Sequence, residues 1–221
     1  MEIKLMEVSL MEVKLLTSLT SKQILEKLGE LGLEVSPEEL LRHVSYTFSV
    51  SGVSRALTHQ LVRHRMASYT QQSQRYVKIS ELREVAVIPH SIEGDSNAKK
   101  RYTTALDECQ RAYHELLASG IPEEDARFLL PNATPTTIIV TMTGRYLMHF
   151  FGLRCCLRAQ WEIRELADRM LVAVRRLEPE LFRRAGPNCY QLGYCPEGRL
   201  TCGKMDEVVK RYEKLGYTEP R

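Results

Sequence analysis

Fourteen residues from Arg63 to Tyr76, RHRMASYTQQSQRY, gather donors at a density found nowhere else in the chain. Arg63, His64 and Arg65 stand in a row. Ser68 and Ser73 follow, with the amides and hydroxyl of Thr70, Gln71, Gln72 and Gln74 between and beyond them, and Arg75 adds another cation. Guanidinium forks grip phosphate through paired hydrogen bonds. Serine and glutamine read carbonyl and N–H edges without charge. A bare run of cations is most often a solvated face at a helix end. The uncharged readers beside it favour phosphate-bearing ligands, and two such ligands suit the composition better than one.

These residues need elements to hold them. SRALTHQLVRHR reads as a helix from Ser54, which puts Arg63, His64 and Arg65 on successive helical positions about 100° apart. Ahead of it, VSYTFSVS alternates Val44, Tyr46, Phe48 and Val50 with small polar residues. It predicts a strand that ends at Gly52. Weak alternation over 1–16 predicts another strand. Helices are expected over 21–33, with a Thr20/Gln23 box, and from the SPEELLRH stretch, capped by Ser36 with Pro37 at its first turn. The polar stretch 80–100 reads as a mobile connection. A long amphipathic helix follows to Gly120, then a short one from Pro122 to Pro131, a β-branched strand over 136–143, and helices over 144–153 and 158–178. From Ala185 a Gly/Pro/Cys-rich loop leads to a final short helix. No linker divides the chain, so the expectation is one α+β domain over 1–221.

The totals narrow the function. Charged residues are 27% of 221 and the net charge is only +3, too small an excess for a general nucleic-acid binder. No apolar run is long enough to span a bilayer. The first ten residues lack the pattern of a secretion signal, which makes a cytoplasmic location the default, with reduced thiols. Cys189, Cys195 and Cys202 are spaced C-x5-C-x6-C, wider than zinc pairs favour and without an evident fourth ligand, so loop thiols are the expectation. Cys155 and Cys156 beside Arg154 invite a nucleophile reading, but a small buried hydrophobe is the simpler role. Trp161 and the face Ile163, Leu166, Met170, Leu171, Val174 read as core or subunit interface. No Gly-rich dinucleotide fingerprint is present.

The spacing Arg63-His64-Arg65-x2-Ser68-x4-Ser73-x-Arg75 reproduces RHRxxSxxxxSxR and resembles the flavin-dependent thymidylate synthases. The surrounding GVSRALTHQLVRHRMASYTQQSQRY is similar to that family, as is the segment from EDARFLLP through RELADRM, over about residues 43–180. The resemblance implies a mixed or antiparallel sheet packed by long helices, in a homotetramer whose sites combine residues of several subunits. It implies conversion of dUMP to dTMP with 5,10-methylenetetrahydrofolate, FAD and NADPH. By position, Gln60, Arg63, Gln71, Gln72, Ser73, Gln74, Arg75 and Arg127 match nucleotide-binding residues. Ser36, Arg63, His64, Arg65, Gln71, Thr143, Arg145 and His149 match flavin contacts. Arg154 matches the arginine that favours ionisation of uracil N3 and is the expected catalytic residue. Residues 1–42 depart from the family pattern, Ser36 stands at a longer spacing, and Thr143 replaces an asparagine. A relative acting on a modified pyrimidine nucleotide and a single-stranded nucleic-acid module are the alternatives.

Overall fold

The computed structural model describes residues 11–79 and 81–217. Four strands, β1 (Glu12–Leu19), β2 (Ser45–Ser54), β3 (Ala67–Gln71) and β4 (Pro135–Thr143), form one antiparallel sheet in the order β1-β2-β4-β3. Eleven α-helices are described, α1 (Ser21–Glu30), α2 (Pro37–His43), α3 (Arg55–Leu61), α4 (Leu82–Val85), α5 (His90–Glu93), α6 (Ser96–Ala118), α7 (Glu123–Ala126), α8 (Gly144–Arg154), α9 (Trp161–Leu177), α10 (Asn188–Leu192) and α11 (Met205–Lys214), with short 3-10 turns at Arg127–Leu129 and Gly198–Leu200. The α+β class expected from the sequence is the one found. The expected N-terminal strand is present from Glu12; residues 1–10 lie outside the described chain.

Packing divides the chain into two compact units. The first holds 50–59 and 70–138. Its long helix α6 starts where the Asp95 side chain accepts from the Asn97 and Ala98 N–H groups, and it carries the small helices α4, α5 and α7. Leu82, fully buried, enters α4 with its N–H donated to Gln110 of α6 at 2.7 Å. The stretch expected from its polarity to be a mobile connection is instead largely helical from Leu82 on, with α4, α5 and the start of α6.

The second unit holds 13–49, 60–69 and the described chain from 139 on. Its core is the inward face of β2 and β4 with α8 and α9: Tyr46, Phe48, Val140, Met142, Leu147, Phe150, Phe151, Ile163, Leu166, Met170 and Val174 are buried. Period-two alternation on the strands meets a 3.6-period stripe on α9, as the sequence predicts. Thr47 and Thr141 face each other across β2 and β4 with hydroxyls 2.9 Å apart. Helix α8 sits close: a Cβ on Gly144 would lie 2.5 Å from Val44 Cγ2, so only glycine fits there. Arg175 on α9 is entirely buried and donates to the carbonyls of Phe182, Arg183, Ala185, Tyr212 and Leu215 at 2.5–3.2 Å. The basic stretch around it is no ordinary helix end, because one guanidinium ties two later segments to α9.

Two boundaries near the donor-rich stretch differ from expectation. β2 runs through Gly52, which takes φ +69°, and ends at Ser54. Helix α3 stops at Leu61. Arg63, His64 and Arg65 therefore lie in a turn and extended chain, not on successive helical positions, and β3 follows at once.

Candidate active site

The helix end is fixed by side chains that come later in the chain. The His64 N–H donates to Leu61 O at 3.1 Å. The Tyr69 hydroxyl donates to Leu61 O and His64 O at 2.8 and 2.9 Å, satisfying carbonyls that a continuing helix would have used. The turn splays the three basic residues apart. Arg63 and Arg65 are exposed, while His64 turns inward and is 5% exposed.

His64 meets the end of α8. Arg154 Nε donates to His64 Nε2 at 2.9 Å, and the rings of Phe150 and His149 lie 5.0 and 6.2 Å from the imidazole. An acceptor Nε2 requires the neutral ring with its proton on Nδ1. Burial, then the Arg154 charge, then His149, hold the His64 pKa down to about 4. Arg154 is itself half-buried, and burial lowers its pKa from the ordinary arginine value. Nearby, Thr143 accepts the Tyr146 N–H at 3.3 Å and caps α8, and Arg145 pairs with Glu38 at 3.2 Å on the surface. Ser36 is used locally: its hydroxyl accepts from Glu39 N–H at 3.2 Å, and the Glu39 carboxylate returns to the Ser36 N–H, a capping box for α2. Gln60 belongs to this second unit as well.

The first unit holds the other expected residues. The Gln71 amide donates to Thr58 Oγ1 at 3.0 Å and reaches Thr136 Oγ1 at 3.5 Å. Gln72 N–H donates to Thr137 O, Ser73 Oγ accepts from Arg75 N–H at 3.2 Å, and Gln74 follows in the same turn. Arg75 grips Glu124 through Nε and Nη2 at 3.0 and 2.7 Å, while Arg127 Nε donates to the carbonyl of the same Glu124 at 3.0 Å. Arg75 and Arg127, far apart in sequence, thus converge on one acidic residue. The Arg75–Glu124 pair is half exposed, and such pairs are worth only about 0.2–1 kcal/mol.

Sequence reasoning missed Arg55. It donates to Gln72 O at 3.0 Å, and its buried Nε has no partner among the described residues. Burial, then the charge of Arg127, lowers its pKa from the ordinary arginine value. Its one signal was position, at the start of the helix leading into the basic triplet. Among the described residues Arg55, Arg63, Arg65, Arg127 and Arg154 make no salt bridge. In each unit these cations form a donor set that fits anionic ligands, Arg55 and Arg127 in the first and Arg63, Arg65 and Arg154 in the second. Cys155 does not join it: the thiol is fully buried, and burial raises its pKa well above the ordinary value, which removes it as a nucleophile.

The family model described as thymidylate synthase complementing protein matches residues 6–180. A flavin-dependent thymidylate synthase of Geobacter sulfurreducens is 50% identical over 191 residues, covering 86% of this chain and 80% of the relative. One of Pyrococcus abyssi is 52% identical over 185 residues, covering 80% and 76%. Among solved structures, a UMP/dUMP methylase from Streptomyces cacaoi bound with 5-Br dUMP superposes with a TM-score of 0.65 at 25% identity. It covers 80% of this chain and 96% of that one.

Proposed function

The chain belongs to the thymidylate synthase complementing protein family, and from that premise we infer that it converts dUMP to dTMP as a flavin-dependent thymidylate synthase. FAD is the flavin, NADPH the reductant, 5,10-methylenetetrahydrofolate the carbon donor, and the cytoplasm the compartment. Among the described residues no helix is long and apolar enough to cross a membrane. The nucleic-acid-module alternative gives way to the enzyme, since relatives matching four-fifths of the chain are named as synthases.

The observation that carries the reading is Arg154. Its Nε is committed to a neutral His64, and no described carboxylate pairs with its guanidinium. Loss of the N3 proton makes uracil an anion with electron density pushed towards C5. A half-buried guanidinium, locked by a neutral acceptor, stabilises that anion more strongly than a solvated one would. Arg154 is therefore the catalytic residue. Arg75 and Arg127, with Ser73 beside them, hold the nucleotide phosphate, and Gln60, Gln72 and Gln74 read uncharged edges. Arg63, His64, Arg65, Arg145 and His149 hold the flavin, joined by Gln71 and by Thr143 and Ser36 where their capping roles leave a lone pair free. When bound, the flavin supplies the reducing equivalents. In the homotetramer the site draws on several subunits, so the nucleotide and flavin groups need not come from one chain.

A dTMP assay tests this with dUMP, methylenetetrahydrofolate, FAD and NADPH, omitting each in turn. Product is expected only with all four. Product that persists without folate would overturn the carbon-donor assignment, and no product in any combination would overturn the reaction. The same assay with UMP examines a second reading, acceptance of a ribonucleotide, which the UMP/dUMP methylase neighbour favours.

A further inference from the structure

Four of the six cysteines share one place in the fold. Cys156, just past α8, Cys189 on α10, and Cys195 and Cys202 on the loop before α11 all line one cavity of about 20 Å³. The sequence offered three of them without a fourth ligand; the fold supplies it as Cys156. All four are free thiols. A cavity of that volume admits a single water-sized particle, the size of one metal ion. We propose that Cys156, Cys189, Cys195 and Cys202 bind one structural zinc ion that fastens the C-terminal loop to the end of α8.

The ligand chemistry points the same way. Four thiolates suit a soft, tetrahedral site, which is zinc's commonest structural environment, and complete it without the carboxylate that also lines the cavity, Glu197. Binding replaces four S–H bonds by four Zn–S bonds and releases four protons, leaving a centre of charge −2. Arg158 lines the cavity and sets one cation beside that charge, while Lys204 on the same loop pairs with Glu207 at 3.8 Å.

Among the described residues no three ligand side chains already form a metal cage, so the ion must draw the sulfurs inward. The loop is built to allow this. Gly193, Gly198 and Gly203 bracket Cys195 and Cys202 with φ of 79°, 52° and 70°, and a Cβ on any of them would meet nothing within 4 Å. Left-handed turns with open space around them can tighten without a clash.

The test uses the full chain purified without chelator, with metals counted by mass spectrometry. About one zinc per chain is expected in the wild type and in Cys109→Ser, whose thiol lies on α6, and at least a tenfold lower content in Cys202→Ser. Protein grown with cobalt should show the visible absorption of tetrahedral cobalt–thiolate, a readout on the wild type that does not depend on a variant folding. Several outcomes would overturn the proposal: four free thiols without metal, a disulfide among them, iron in place of zinc, or zinc retained equally by Cys202→Ser. None of these depends on the flavin or nucleotide assignments.

Discussion

At the residue scale the pair Arg154–His64 makes two claims that can be separated. The imidazole must be neutral to accept from Arg154 Nε, and its pKa stands near 4, below the ordinary 6.5. Between those values the unfolded chain takes up the proton more readily than the folded one. The contribution of neutral His64 to stability is thus complete above about pH 6.5 and is lost as pH falls through about 4. An imidazole titration followed by NMR should give a midpoint near 4 for His64; a midpoint at the ordinary value would mean the buried contact with Arg154 does not persist. The second claim concerns Arg154 itself. Arg154→Ala should keep its flavin yet lose about 10²–10³-fold in turnover, the cost typical of removing one charge-stabilising donor. Flavin absorbance and dTMP formation measured on the same sample decide it, since parallel loss of both would assign Arg154 to holding the cofactor.

Elements explain which of these residues the sequence could reveal. The types and spacing of Arg63, His64, Arg65, Ser73 and Arg75 are carried by the sequence wherever the backbone runs, so the family could be recognised from them directly. Their conformation could not. Ala56, Leu57 and Leu61 set a helical period that nothing local interrupts, and the helix ends because the Tyr69 hydroxyl, eight residues on, takes the carbonyl of Leu61. β3 was hidden for the same reason, as ASYTQ alternates too briefly to stand out. Helix α4 depends on Gln110 of α6, and Arg55 gains its meaning only beside Arg127. Thr143 is the opposite case, where local chemistry suffices. The resemblance puts an asparagine at this position in the family, and either side chain can cap α8, because both place an oxygen within reach of the Tyr146 N–H. Thr143→Asn should therefore leave the unfolding midpoint unchanged, while Thr143→Ala should cost about 1 kcal/mol. Thermal denaturation of the three proteins reads this directly, and a large shift for the asparagine variant would mean Thr143 does more than cap.

For the molecule as a whole, the second unit is held at its C-terminal end by Arg175. Five carbonyls converge on this guanidinium, and the rings of Tyr217 and Tyr190 lie 5.1 and 5.7 Å from it. Arg175→Met keeps the bulk but strands those carbonyls in a buried place, and should cost about 3–5 kcal/mol, a large share of a typical domain's stability. Lysine cannot substitute, since one ammonium carries three donors where the fork carries five. Denaturant titration should show both variants weakened; a lysine variant of wild-type stability would reduce the clamp to a mere charge.

Assembly is the largest scale at which the site can be tested. Four copies of a 25.4 kDa chain give a particle of about 102 kDa, measurable by light scattering. If its sites combine residues of different subunits, two inactive variants can repair each other. In a mixture of Arg75→Ala and Arg154→Ala chains, exchanged at random, a site that takes these two arginines from different chains is intact in about one case in four, when each chain supplies the residue it still has. Mixing after partial denaturation and reassembly should then restore roughly a quarter of wild-type turnover. A site that takes both arginines from one chain is never intact in the mixture, so its activity stays at the level of the separate variants. The recovered fraction therefore reports whether the nucleotide's phosphate and its base are held by one chain or by two.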